Sequence, residues 1–80
     1  MVGDLMDRII KKLNVHKLRF PVDGYLFDVQ VTTSIDNGKS FWYAGAGSYC
    51  KDEVDVKNRV KEYSDKFKRD GEEYAGCTYL

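Results

Sequence analysis

The sequence predicts an α+β fold in which two helices pack on one face of a three-stranded antiparallel sheet. Apolar residues recur at three- and four-residue steps near both ends of the chain, the spacing that amphipathic helices use. Between these segments apolar and polar residues alternate with the period of two that half-buried strands use. The expected element order is therefore α-β-β-β-α, in a single small domain over residues 1–80.

The first helix is predicted over residues 3–13. Asp4 and Asp7 lie in its first turn and Lys11 and Lys12 in its last, as the helix dipole favours. One helical stripe would then carry the apolar residues Val2, Leu5, Met6, Ile9, Ile10 and Leu13.

Three strands are expected next. Residues 17–22 alternate apolar and basic side chains, and Pro21 would restrict this short strand to a sheet edge. The second strand starts at Tyr25 and has the strictest alternation in the chain. The third covers residues 39–47, after a hairpin turn at residues 36–38, where Asp, Asn and Gly tolerate positive φ.

The second helix is predicted over residues 51–69. Its apolar stripe consists of Val56, Val60, Tyr63 and Phe67, at steps of four, three and four. Residues 72–80 could form an extra strand or a docked tail. Gly45 and Gly47 are interpreted as the point where the last strand turns onto this helix, because glycine permits a sharp turn and a close approach.

Composition narrows the class of protein. The 13 basic residues balance the 13 acidic ones, so no net charge attracts the chain to nucleic acid or to an anionic membrane. The apolar runs are far shorter than a membrane span requires. Two cysteines with no secretory signal before them are typical of free thiols in a reducing compartment, and we expect a cytoplasmic location.

The sequence indicates no enzyme, cofactor or metal site. His16 is the single histidine, and no nucleophile-and-base arrangement accompanies it. Cys50 and Cys77 with His16 do not have zinc-site spacing. Cys50 near a helix start is interpreted as a small buried residue rather than a reactive thiol.

The aromatic residues suggest a protein-binding surface. Trp42 and Leu26 fall on the sheet face that the two helices would leave open. Large exposed aromatic side chains anchor partners effectively. The predicted surface combines Trp42, Leu26 and Tyr49 with Asp28 and Gln30. The alternative is that the C-terminal tail, with Tyr74 and Tyr79, covers Trp42 as a second small core.

The second helix offers a different possibility. Basic residues near its start and along its outer side could form a nucleic-acid patch, namely Lys51, Lys57, Lys61, Lys68 and Arg69. We regard this patch as the runner-up to protein binding.

The helix, three-strand and helix order, with "AGAGSYCKDEV" between the last strand and the last helix, resembles the double-stranded RNA-binding domain. In that family lysines at the start of the second helix grip phosphates. Here Lys51 occupies that neighbourhood, beside Asp52, Glu53 and Asp55. This resemblance implies a nucleic-acid-binding domain.

In size and format the chain also resembles small phage-encoded anti-CRISPR and other anti-defence inhibitors. That resemblance implies a non-enzymatic module that binds and blocks a host nucleic-acid-targeting defence complex, in the host cytoplasm. Either a monomer or a homodimer is expected, depending on whether an unpaired sheet edge is available.

Overall fold

The computed structural model describes residues 8–36 and 42–80. These residues form strands β1 (Arg8–Val22), β2 (Tyr25–Asp36) and β3 (Trp42–Cys50), helix α1 (Glu53–Arg69), and strand β4 (Glu73–Tyr79). The four strands make one mixed sheet in the order β3-β2-β1-β4. Both β1–β2 and β2–β3 are antiparallel, whereas β4 runs parallel to β1.

The predicted α-β-β-β-α order is wrong, and the observed order is β-β-β-α-β. The correction begins at the first helix, because residues 8–13 of that predicted helix belong to β1. The rest of it, residues 3–7, lies outside the described residues, as does the Asn37-Gly38 part of the predicted hairpin turn. The described part of the chain therefore contains one helix and a four-stranded sheet.

Strand β1 forms because its odd-numbered residues supply the buried face. Leu13 and Val15 are buried against α1, while Asn14 and His16 point to the other face. The β-branched Ile9, Ile10 and Val15 also favour an extended backbone. Hydrogen bonding to β2 on one side and β4 on the other overrides the helical spacing that ended at Leu13.

The strand predicted at residues 17–22 is confirmed as a strand, but it begins much earlier, at Arg8, as the end of β1. Past the pairing of Val15 with Tyr79, residues 17–22 have β2 as their only described neighbour, as the predicted edge position requires. Their pairing is irregular. Lys17 is opposite Phe27 and Val22 is opposite Tyr25, so residues 18–21 bulge out opposite Leu26 alone. Asp23 and Gly24 close this hairpin with φ values of 50° and 85°, the positive values that a two-residue hairpin turn requires.

Helix α1 agrees with the second predicted helix apart from its start, which is Glu53 instead of residue 51. The Asp52 carboxylate accepts a hydrogen bond from the Asp55 N–H at 2.8 Å, and the Asp55 carboxylate accepts one from the Lys51 N–H at 2.9 Å. Gly71, with φ 74°, ends the helix, where the Glu72 N–H donates to the Phe67 carbonyl at 2.8 Å.

The core lies between α1 and one face of the sheet. The predicted helix stripe is confirmed, with Val56 and Phe67 buried and Val60 and Tyr63 packed against them. The sheet contributes the buried residues Leu13, Val15, Val29, Val31 and Cys50. One face of the sheet is therefore covered by α1. No other described element packs on the opposite face, which we call the open face.

The two glycines of "AGAG" do not form a strand-to-helix turn. Both lie within β3, in a segment where the pairing with β2 shifts between Gln30 opposite Gly47 and Thr32 opposite Ala44. A Cβ atom on Gly47 would lie 3.0 Å from the Val29 carbonyl oxygen. The glycines are needed because the backbone of β2 approaches closely at this bulge.

Candidate functional site

The topology brings five chain segments to one end of the sheet. Strands β1, β3 and β4 run in the same direction and end there, whereas β2 and α1 begin there. Nine large apolar side chains of the described residues are exposed, and seven of them lie at this end. We call this set the apolar end; it consists of Phe20, Val22, Leu26, Tyr49, Val54, Tyr79 and Leu80.

The β1–β2 hairpin forms the most prominent part of the apolar end. It continues beyond the pairing of Val15 with Tyr79, so its tip projects past the end of β4. The bulge at residues 18–21 presents Phe20 with 78% of its surface exposed. Water-exposed apolar surface of this kind is typical of interaction sites.

Aromatic residues connect the hairpin to the neighbouring strand. The Tyr25 and Tyr49 rings stack with their centroids 6.1 Å apart. Tyr49 is opposite Asp28 in the β2–β3 register, which places Tyr49 on the open face. Stacking restricts both rings, so the exposed half of Tyr49 is presented with little conformational freedom left to lose on binding.

A second part of the apolar end lies where β4 ends and α1 begins. Here a cleft of about 240 Å³ is lined by Phe27, Val56 and Tyr79, with Glu53 and Lys57 completing its wall. Val54 and Leu80 are exposed at the same end. The cleft is large enough to take an apolar side chain from a partner.

The residues predicted from sequence as the partner-binding surface are only partly brought together. Leu26, Asp28, Gln30 and Tyr49 lie on or beside the open face at the apolar end. Trp42 is half exposed but lies opposite Ser34, six residues along β2 from Asp28. At about 3.3 Å per residue, Trp42 is roughly 20 Å from Tyr49.

The alternative in which the C-terminal tail covers Trp42 is wrong. The tail forms β4, which lies at the sheet edge remote from β3 and Trp42. Tyr74 instead contacts Phe67 on the α1 side, with ring centroids 6.0 Å apart. The tail is therefore paired with β1 as a parallel strand and does not cover Trp42.

Sequence reasoning missed five residues of the apolar end, namely Phe20, Val22, Val54, Tyr79 and Leu80. They lie in segments that were interpreted as an ordinary strand, a helix or a tail. Their proximity depends on the strand directions, which no local pattern contains. The available signals were Pro21 beside Phe20, which disfavours regular pairing, and the Asp23-Gly24 dipeptide, which marks the turn.

The basic residues of the predicted nucleic-acid patch do not form one group. By helical spacing, Lys57, Lys61 and Lys68 lie along one flank of α1. This flank is on the β4 side of the helix, because Lys57 and Tyr79 line the same cleft. Arg69 is rotated about 100° from Lys68. Lys51 precedes the helix, and Lys61 forms an exposed ion pair with Asp65 at 3.7 Å.

The candidate catalytic side chains lie on different faces of the sheet. His16 is opposite Asp28, on the open face. Cys50 is opposite Phe27, on the α1 side, and has no exposed surface. Burial raises the pKa of the Cys50 thiol and the Asp55 charge raises it further, while Arg59 acts in the opposite direction. Cys50 is therefore a protonated core residue at neutral pH.

A cleft of about 350 Å³, lined by both polar and apolar residues, lies at the other end of the sheet, under the last turn of α1. Lys11 enters it and donates a hydrogen bond to Thr33 Oγ1 at 3.0 Å, and its ammonium is 3.7 Å from the Glu72 carboxylate. Within residues 8–36 and 42–80, no group of three or more His, Cys, Asp or Glu side chains could hold a metal ion.

The buried thiols predict a loss of stability at high pH. Burial raises the pKa of Cys50 and Cys77 above 9.0, the ordinary value for a cysteine, so the unfolded chain releases these protons first. The stability they contribute is present below pH 9.0 and lost as the pH rises through the folded-state values. Melting temperatures measured by circular dichroism should fall less for Cys50→Ala than for the parent chain between neutral pH and pH values above 9.0. An equal fall in both would contradict the burial of a titrating thiol at this position.

Comparisons with known proteins found no similar protein, so the function of the chain is inferred from its fold and its candidate site. No protein-family model, no curated protein and no solved structure matches the chain. In the part of the chain that the structure describes, no helix is both long enough and apolar enough to cross a lipid bilayer. The chain is thus a small α+β domain with a four-stranded mixed sheet, one helix and an apolar end.

Proposed function

We propose that the chain is a non-enzymatic protein-binding module that contacts its partner through the apolar end. The observation that carries this proposal is the concentration of seven of the nine exposed large apolar side chains of the described residues at one end. Exposed apolar side chains that gather at one end of a fold often mark an interaction site. Phe20, Leu26 and Tyr49 would form the buried centre of the interface.

The hairpin supports this function because its exposed residues have little role in the core. Phe20 projects from the bulge, and Leu26 lies on the open face. The fold therefore retains these apolar side chains at positions where burial in a partner would stabilise them. The further expectation that the partner is a nucleic-acid-targeting defence complex stays a prediction from the size and format of the chain.

The test compares two variants of matched chemistry. The double variant Phe20→Ser/Leu26→Ser removes apolar surface from the apolar end, and Trp42→Ser removes an exposed aromatic ring from the other end. Proteins cross-linked to the parent chain should be retained by Trp42→Ser and lost by the double variant. Loss of a central apolar anchor costs about 2 kcal/mol or more, roughly a thirtyfold increase in Kd.

Circular dichroism should show the parent fold in both variants, with a modest loss of stability, because Phe20 is 78% exposed whereas Trp42 and Leu26 are 50% and 39% exposed. The opposite pattern, with binding lost only in Trp42→Ser, would show that the interface lies at the other end of the sheet. Unchanged cross-linking in both variants would refute a role for either exposed surface.

A nucleic-acid-binding module is the second candidate, because Lys57, Lys61 and Lys68 share one flank of α1. Fluorescence anisotropy of labelled double-stranded RNA and DNA, at low and at physiological salt, separates the two functions. Phosphate binding weakens steeply with salt through counterion release, whereas an apolar protein interface does not. Salt-sensitive binding that Lys57→Glu abolishes would favour this second candidate.

A further inference from the structure

The cleft of about 350 Å³ under the last turn of α1 has the size of a small-molecule site. It lies at the end of the sheet remote from the apolar end. Its lining includes the buried side chains of Val31, Thr33 and Phe67. Gly45 lines it on the β3 side and has no side chain to occupy the space.

Polar groups from four parts of the chain converge on this cleft. Lys11 comes from β1 and Thr33 from β2, Lys66 and Asp70 come from the end of α1, and Glu72 precedes β4. Sites for small molecules typically combine an apolar lining with a few polar groups that fix the orientation of the ligand. The cleft has both kinds of group.

The charges that line the cleft are two ammonium groups and two carboxylates. Lys11 lies 3.7 Å from the Glu72 carboxylate, so these two charges already face each other. Lys66 and Asp70, in contrast, form no ion pair with any residue in 8–36 or 42–80. An anionic ligand would be opposed by both carboxylates and a cationic ligand by both lysines. The complementary ligand therefore carries one charge of each sign.

A free amino acid with an apolar side chain fits this arrangement. Lys66 and Asp70 are four residues apart on α1, so they are neighbours on its surface, as the ammonium and carboxylate of an amino acid are neighbours. The negative end of the helix dipole favours the ammonium beside Asp70, and the Tyr63 ring in the lining offers it a cation–π contact. Val31 and Phe67 offer apolar surface to the side chain.

We propose that the cleft under the last turn of α1 binds a free apolar amino acid. Its carboxylate pairs with Lys66 and accepts a hydrogen bond from the Thr33 hydroxyl, whose oxygen accepts from Lys11 at 3.0 Å and whose proton can be donated. Its ammonium pairs with Asp70. This site is independent of the proposed protein-binding function, because it lies at the other end of the sheet.

The probes are leucine, methionine and phenylalanine, titrated to about 10 mM into the full chain and followed by amide proton–nitrogen correlation NMR spectra. At least one of them should give saturable shifts at the amides of Val31, Thr33 and Gly45. Analogues of that amino acid without its carboxylate or without its ammonium should bind about fivefold more weakly. For leucine these analogues are isopentylamine and isocaproate.

Two charge variants test the residues themselves. Lys66→Gln and Asp70→Asn should each weaken binding about fivefold, since each removes one of the two charges that the ligand meets. The control is Lys68→Gln, which neutralises a lysine of the same helical turn that does not line the cleft and should change binding less than twofold. Circular dichroism should show the parent fold in all three variants, because these side chains are exposed.

Failure of all three amino acids to bind overturns the inference. Binding of either analogue as tightly as the amino acid also overturns it, as does unchanged binding in both Lys66→Gln and Asp70→Asn or shifts confined to the apolar end. The Phe20→Ser/Leu26→Ser variant should bind the amino acid as the parent chain does. Failure at the cleft therefore leaves the proposed protein-binding function standing.

Discussion

Replacement of Leu13 by alanine is expected to lower the free energy of unfolding by about 2–5 kcal/mol. Leu13 has no exposed surface, and its strand β1 pairs with β2 and β4. The shortened side chain would leave a cavity between the sheet and α1, and the paired backbone cannot move far enough to fill it. A loss of this size is a large part of the stability of a small domain.

Urea denaturation monitored by circular dichroism measures this loss, with Ile9→Ala as the control. Ile9 lies four residues earlier in the same strand but is 40% exposed, so its truncation should cost much less. Losses of similar size in the two variants would contradict the assignment of Leu13 to the centre of the core.

Replacement of Gly47 by valine is expected to destabilise the domain by about 1–3 kcal/mol, because a larger side chain must force the backbone apart. The Cβ atom would lie 3.0 Å from the Val29 carbonyl oxygen and 3.6 Å from the Gln30 Cα atom. The tight contact is the one with the Val29 carbonyl oxygen, a backbone atom of β2 that cannot rotate away as a flexible side chain would.

Two smaller substitutions make a graded series with this variant. Gly47→Ala should cost less than Gly47→Val, and Gly45→Ala less again, because the added Cβ at Gly45 would lie 3.3 Å from the Val31 carbonyl oxygen. Thermal melting gives the order directly. If Gly47→Val melts with the parent chain, close approach of β2 and β3 is not the reason for glycine at this position.

The outer strands β3 and β4 have backbone edges that could pair with other chains, and bulges in both strands limit such pairing. Gly45 and Gly47 lie at an irregularity in β3, and Gly76 lies at another in β4. A bulge twists a strand locally and interrupts the regular row of backbone groups that promotes pairing between copies. In β4 the interruption comes before residues 77–79, which pair regularly with β1.

The sequence by itself determined the elements whose signals are local. The stripe of Val56, Val60, Tyr63 and Phe67 specified α1 and its end at Arg69, although the start was predicted two residues too early, before the Asp52 cap. The strict alternation from Tyr25 likewise specified β2. These signals suffice because a helix stripe or a strand face is defined by residues only a few positions apart.

Only the tertiary structure decided the identity of β1, the place of β4 and the composition of the apolar end. Residues 8–13 fit a helix stripe, but pairing with β2 and β4 on both sides selected the strand. That choice set the direction of every other strand, and with it the grouping of Phe20, Tyr49 and Tyr79 at one end. Strand pairing depends on hydrogen-bond partners far away in sequence, so a local pattern cannot contain it.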